Sequence, residues 1–449
     1  MSTIEKHDMT QGKILLPLVS FTIPLVLGNL FQLTYNAADS VIVGKYVGEQ
    51  ALAAVGTSTP IMNIAILLIS GMCMGASVLM SSQYGARDYD TLSKQISTTM
   101  LAGCGFSVIF SLLMLLLATP VLRLIRVPET AIPEAAVYLR IIFLGLIFTF
   151  IYNFLANTMR ALGDSKTPLY FLVTSAFLNI FGDLFFVVVL RWGVAGSAIA
   201  TVCSEGLCCL LCGIYIKKKI PLLCLGKKWC VFDKSLLGKT VSYGSTSAMQ
   251  QVCLQLGKLI IQSVVNTQGV AVMAAFTAVN RVDDFAYTPQ QNIGHAMTTF
   301  LAQNKGAGHK ERMKKGFQTG LLIELVYSIG LFAVIWGLAP QIMTLFAEDG
   351  DAQVVSLGIS YLHLISWMYI LPGMTNGIQG FFRGIGDLKV TLYSTFMNML
   401  GRVVAVFVML RLLHMDFVSL AWANMIGWIV MLLFEIPLLV KSLRSGECG

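Results

Sequence analysis

Arg160-Ala161-Leu162-Gly163-Asp164-Ser165-Lys166 recurs 223 residues later as Arg383-Gly384-Ile385-Gly386-Asp387-Leu388-Lys389. Tyr138-Leu139 recurs as Tyr361-Leu362 at the same offset. Gln83-Tyr84-Gly85-Ala86 returns near Gln303 to Ala307, and Leu178-Asn179-Ile180-Phe181-Gly182 returns as Met397-Asn398-Met399-Leu400-Gly401. Local matches at spacings from 219 to 223 residues mark a duplicated chain. In both copies of R-x-x-G-D-x-K, the glycine permits a turn and the lysine is expected to hold the loop on the inner side. The arginine is expected to satisfy the last carbonyls of a helix.

What is duplicated follows from composition. Of 449 residues, 56% are hydrophobic and only 12% charged, about half the charge of a soluble domain, and the mean hydropathy is +0.75. The chain reads as an all-α polytopic membrane protein. Apolar runs predict spans at 14–43, 51–80, 95–119, 133–158, 168–190 and 193–216, then at 237–265, 270–299, 317–339, 355–380, 391–411 and 416–440. This gives an N-lobe (1–216, helices 1–6), a basic linker (217–236) and a C-lobe (237–449, helices 7–12). With the N-terminus inside, 22 of the 31 Lys and Arg residues fall in inner segments and five in outer loops. That asymmetry predicts cytoplasmic termini in a cell membrane. Six spans per half give the halves one topology, related by a pseudo-two-fold along the membrane normal, which points to a secondary transporter. The N-terminal stretch shows no cleavable signal peptide. Cys208, Cys209 and Cys212 read as soft packing residues rather than a metal site. No nucleotide or hydrolase motif suggests an enzyme.

An ionisable residue inside a span is expensive and therefore a functional candidate. Asp39 falls in the outer half of helix 1, and Asp183 falls at the corresponding depth of helix 5. Asn179 lies one turn before Asp183 on the same face, and Thr201 lies about two turns into helix 6. Two carboxylates, an amide oxygen and a hydroxyl suit Na⁺ as the metal, or a proton shared between the acids. Pro24 interrupts helix 1 about four turns before Asp39 and is the expected hinge. Under the repeat, Lys258 stands where the first half has Asp39, and Arg402 where it has Asp183. Lys258, Arg281, Asp283 and Arg402, with Asp284 and Glu324, either neutralise one another or attract an anionic substrate.

With these features the chain resembles the multidrug and toxic compound extrusion (MATE) family, and looks closest to its prokaryotic DinF-like branch. The resemblance rests on twelve spans in two lobes, the N-x-x-x-D of helix 5, the first-helix aspartate and both R-x-x-G-D loops. It implies a V-shaped pair of six-helix bundles exporting organic compounds against inward Na⁺ or H⁺. It also implies that Asp39, Asn179, Asp183 and Thr201 form the cation site, with Pro24 as the helix-1 kink. By the same resemblance, Tyr35, Tyr138 and Asn153 or Asn157 line the substrate cavity. The basic Lys258 and Arg402 depart from a branch that carries extra carboxylates in its C-lobe.

The expected activity is thus antiport of amphipathic, drug-like compounds, with no cofactor beyond the coupling ion. Its partners are the bilayer and a small organic substrate, with no nucleic acid, and the chain is expected to act as a monomer. The alternative is a flippase for a lipid-linked anionic precursor held by the basic C-lobe residues. A channel or receptor is the third reading, and the two-lobe duplication argues against it.

Overall fold

The computed structural model describes residues 8–125, 127–220, 231–346 and 352–444. Linker residues 221–230 therefore lie outside the described residues, as does Arg126 of the outer-loop count. Among the described residues the chain is helical, without a strand. The first half holds α1 (Leu15–Tyr46), α2 (Glu49–Gly85), α3 (Tyr89–Leu124), α4 (Ile132–Ala161), α5 (Lys166–Asp183) and α6 (Gly193–Lys219). The second holds α7 (Lys234–Val265), α8 (Val270–Gly306), α9 (Lys310–Phe346), α10 (Ala352–Ser366), α11 (Ile370–Gly384), α12 (Leu388–Phe407) and α13 (Ser419–Arg444). The α10 and α11 helices are two parts of one span, separated by a 3₁₀ turn at Trp367–Tyr369. Each expected span thus has its helix, usually longer than its apolar run, because polar turns such as Tyr89–Lys94 continue helically into the loops. Ten of the twelve are apolar enough to cross a membrane by composition. The α7 and α8 helices fall short because serine, threonine, glutamine and asparagine are frequent in them, in addition to Lys258, Arg281, Asp283 and Asp284.

The helices pair in the same way in both halves. The α4 helix packs on α2, α3 and α6, and α5 packs on α6. Correspondingly, α11 packs on α8, α9 and α13, and α12 packs on α13. Lipid tails are as apolar as leucine, so close packing and buried hydrogen bonds hold such helices together. The first core runs along one face of α4 through Leu139, Phe143, Leu146, Phe150 and Phe154. Ser111 Oγ on α3 donates to the Phe143 carbonyl at 2.6 Å.

The chain divides into two units, with boundaries inside helices rather than at the 217–236 linker. Unit 1 is Met1–Asp8 with Ile23–Ala248, and unit 2 is Met9–Thr22 with Met249–Gly449. The cause is visible at each helix start. Arg312 donates to the carbonyls of Met9, Gln11 and Gly12, and Asn304 donates to that of Met9, all within unit 2. In unit 1, the amides of Val231 and Asp233 donate to Ser97 and Thr98 on α3, and Gln95 Nε2 donates to Thr240 of α7. Added Cβ atoms at Gly71 and Gly75 of α2 would come within 2.6 Å and 2.4 Å of the α7 backbone at Ala248 and Tyr243.

The R-x-x-G-D-x-K loops turn as expected, through left-handed glycines at Gly163 (φ 91°) and Gly386 (φ 85°). The expected role of their arginines needs correction. Arg383 bridges His295 Nδ1 at 3.2 Å and Gln379 Oε1 at 2.7 Å rather than a helix-end carbonyl. Lys305 instead donates to the Ile385 carbonyl. Arg160 makes no such bond, and its Nε is buried without a partner. Once the chain turns away at the glycine, the long arginine side chain reaches more readily back into the bundle than onto its own last turn.

Candidate functional site

In unit 1, α1, α5 and α6 bring the four predicted residues together. Ser197 Oγ donates to Asp39 Oδ1 at 2.7 Å, and Asn179 Nδ2 donates to Thr201 Oγ1 at 3.1 Å. The carboxyl groups of Asp39 and Asp183 are close neighbours. Asp183 is fully buried, yet neither of its oxygens receives a hydrogen from a protein donor, and neither does Asn179 Oδ1. The i−4 spacing on α5 creates this geometry by stacking Asn179 and Asp183 on one face. Just past Asp183, the backbone widens into a π turn at Leu184–Val189. Such turns recur at functional positions in helices.

Buried acceptors without donors are rare and costly. Facing carboxylates cannot satisfy each other without a hydrogen between them. Asp39, Asp183, Asn179 Oδ1 and Thr201 Oγ1 therefore fit one small positive charge, either a proton on the acid pair or a hard cation among oxygens.

The cavity candidates fall around this core. Tyr35 stands one turn before Asp39 on α1. Tyr138 is buried within reach of both aspartates, and its hydroxyl approaches Met62 Sδ at 3.9 Å. The amides of Asn153 and Asn157 donate to the carbonyls of Thr149 and Asn153, one turn back on their own helix, at 2.8 Å each. Pro24 lies inside α1, two residues past the Thr22–Ile23 unit boundary. Two residues were missed in the sequence. Ser197 carries no signal of its own, being a common residue near a helix start. Glu205 did carry one, as an ionisable residue within an apolar helix. It lies one turn beyond Thr201 and accepts from Thr149 Oγ1 at 2.6 Å. Cys208 and Cys209 donate to the carbonyls of Phe171 and Phe148 on neighbouring helices. A cavity of about 590 Å³ beside them, lined by Met100, Phe148, Leu155, Cys203, Leu207 and Leu210, is almost wholly apolar.

The C-lobe candidates belong to unit 2. Lys258 Nζ pairs with Asp284 Oδ1 at 3.2 Å, with both side chains half-exposed. Asp283 is buried, accepts from Tyr369 Oη at 2.6 Å and feels the charge of Arg402. Arg402 keeps a buried Nε without a partner. Arg281 is exposed and joins neither group. Lys258, Asp283 and Arg402 thus share one charge cluster in which both signs are present.

Comparisons with known proteins agree with this architecture. The MatE family model matches twice, over residues 24–185 and 247–408, at the 223-residue offset of the R-x-x-G-D repeat. A probable multidrug resistance protein of Bacillus subtilis (strain 168), YpnP, is 32% identical over 87% of this chain and 86% of its own. The probable multidrug resistance protein NorM of Thermotoga maritima is 23% identical, covering 96% and 92%. A solved outward-facing conformation of a multidrug resistance MATE family transporter of the MOP superfamily superposes with a TM-score of 0.92. It is 22% identical and covers 99% of each chain. The chain is a member of the MATE family, a multi-pass membrane transporter and not an enzyme.

Proposed function

We propose that this protein exports amphipathic, drug-like organic compounds in exchange for an inward cation, Na⁺ or H⁺, taken up at Asp39, Asp183, Asn179 and Thr201. The observation that carries the reading is the surplus of buried acceptors at that site, which a single positive charge removes. The names of the relatives support the substrate class. Coupling requires only that the cation and the substrate favour different conformations. The termini lie in the cytoplasm, on the strength of the 22-to-5 distribution of basic residues. The chain acts as a monomer in this reading.

The test is efflux of a cationic dye from preloaded, energised bacterial cells expressing the native protein or Asp39→Asn. Efflux is expected to follow one imposed gradient, sodium or pH, and to fall at least tenfold in the variant. Gradient-dependent efflux that survives Asp39→Asn, with the variant present at native levels, would overturn the reading. The anionic-precursor alternative needs uncommitted basic side chains in the C-lobe. Lys258 is already paired with Asp284, so that alternative is the weaker one.

A further inference from the structure

A second surplus of acceptors lies in unit 2, where α8, α9 and the α10–α11 break meet. The 3₁₀ turn at Trp367–Tyr369 interrupts the span, with Tyr369 as the N-cap of α11, and Pro372 follows without the N–H that the Met368 carbonyl would take in an unbroken helix. Gln290, next to Pro289 on α8, donates from Nε2 to the Tyr369 carbonyl at 2.8 Å and to Ser328 Oγ at 3.1 Å. The single Ser328 hydroxyl hydrogen goes to the Glu324 backbone carbonyl at 2.7 Å or to the Tyr369 carbonyl at 3.4 Å. Three side chains converge where Gly373 has none. A Cβ there would lie 2.9 Å from Ser328 Oγ, 3.2 Å from Gln290 Nε2 and 3.4 Å from Glu324 Oε2.

The hydrogens of Gln290 Nε2 and Ser328 Oγ are thereby committed, and three acceptors remain. Glu324 is 1% exposed and neither carboxyl oxygen has a partner, and Gln290, fully buried, leaves its Oε1 bare. Glu324 makes no ion pair with a lysine, arginine or histidine among the described residues. Tyr327 on the same helix gives its hydroxyl hydrogen to the Ala286 carbonyl, and Asp283 takes the Tyr369 hydroxyl on the far side. Glu435, the other fully buried glutamate of this unit, differs because Arg383 acts on it. A bare carboxylate buried this deeply is too costly to persist. Broken helices that bring buried polar groups to an acid are how membrane transporters build ion sites.

We propose that Glu324, Gln290, Ser328 and the Tyr369 carbonyl form a second site for one small cation, apart from the Asp39–Asp183 pair. A proton transferred from hydronium to the Glu324 carboxylate, releasing water, supplies the missing hydrogen. Alternatively, Na⁺ is held by the two Glu324 oxygens, Gln290 Oε1, Ser328 Oγ and the Tyr369 carbonyl.

The test uses purified full-length protein carrying Asp183→Asn, which silences the first site, with and without Glu324→Gln. If the site takes a proton, Glu324→Gln removes one buried carboxylic-acid carbonyl band from the infrared difference spectrum, and Na⁺ has no effect on it. If it takes Na⁺, replacing choline with Na⁺ raises the Tm, Glu324→Gln abolishes the rise, and Ser328→Ala weakens Na⁺ about tenfold or more. Loss of neither signal in Glu324→Gln overturns the proposal. Should that variant not fold, carbon-13 carboxyl spectra of the Asp183→Asn protein, assigned with Glu324→Asp, decide the matter. A Glu324 that titrates as an ordinary exposed glutamate, indifferent to Na⁺, also overturns it.

Discussion

Ser197 and Asp39 show how one hydroxyl tunes an ion site. Among the described residues the hydroxyl is the one protein donor bonded to the Asp39 carboxyl, and hydrogen bonds to charged groups are worth about 1.5–3 kcal/mol. Removing it leaves the acid pair more dependent on its cation. Ser197→Ala is therefore expected to lower the half-saturating cation concentration of dye efflux roughly tenfold and to slow maximal turnover, because release becomes harder. An unchanged or weaker cation dependence would mean that the hydroxyl serves packing alone. Glu205, one turn beyond Thr201 on α6, carries the polar groups of that helix on to Thr149. Glu205→Gln is expected to weaken efflux of cationic dyes severalfold more than that of neutral ones, measured side by side in the same cells. The four core residues were legible because an acid in a span is too costly to be incidental, and i, i+4 spacing fixed their common face. Ser197 was not legible, since only the fold shows which of several serines meets an aspartate, and nothing in the sequence signalled that Lys258 would be paired with Asp284.

At the scale of elements, the spans were readable from apolar length alone, whereas their interruptions were not. The π turn after Asp183 and the 3₁₀ break at Trp367–Tyr369 lie inside uniformly apolar runs, where tertiary hydrogen bonds rather than hydropathy decide the backbone. Helix contact was partly hidden as well, since small residues matter through what they face. Gly71 and Gly75 of α2 form a G-x-x-x-G stripe against the backbone of the first half of α7, with Gly244 opposite. A methyl group at Gly75 would overlap the Tyr243 carbonyl, and backbone cannot swing aside as a side chain can. Gly75→Ala is expected to destabilise the protein by about 1–3 kcal/mol, the usual range for overpacking. Gly105 on α3 faces open space, so Gly105→Ala is the matched control and should leave the Tm unchanged. Equal Tm values for the two variants would show that α2 and α7 are not in close contact.

On the scale of the whole molecule, the duplication sets the plan, but the chain is not cut where its composition changes. Residues 9–22, the approach to α1 and its first turns, belong to unit 2, and residues 231–248, the approach to α7 and its first half, belong to unit 1. Each half of the sequence thus lends the start of its first helix to the other unit. The contacts that fix these segments are side chain to backbone, namely Arg312 and Asn304 to Met9–Gly12, and Ser97 and Thr98 to Val231 and Asp233. No hydropathy pattern encodes such bonds, which is why a division at 217–236 looked natural from the sequence. The exchange has a measurable consequence. With a protease site inserted in the 221–230 linker, cleavage leaves each fragment holding a segment that packs within the other unit. The fragments are therefore expected to co-purify in mild detergent and to retain dye efflux when cleaved in the membrane. Arg312→Ala, which removes four hydrogen bonds to the 9–12 carbonyls, should weaken that association and speed amide exchange in the segment. Fragments that separate as readily as two unrelated bundles would show that the linker, and not the exchanged helix starts, holds the two units together.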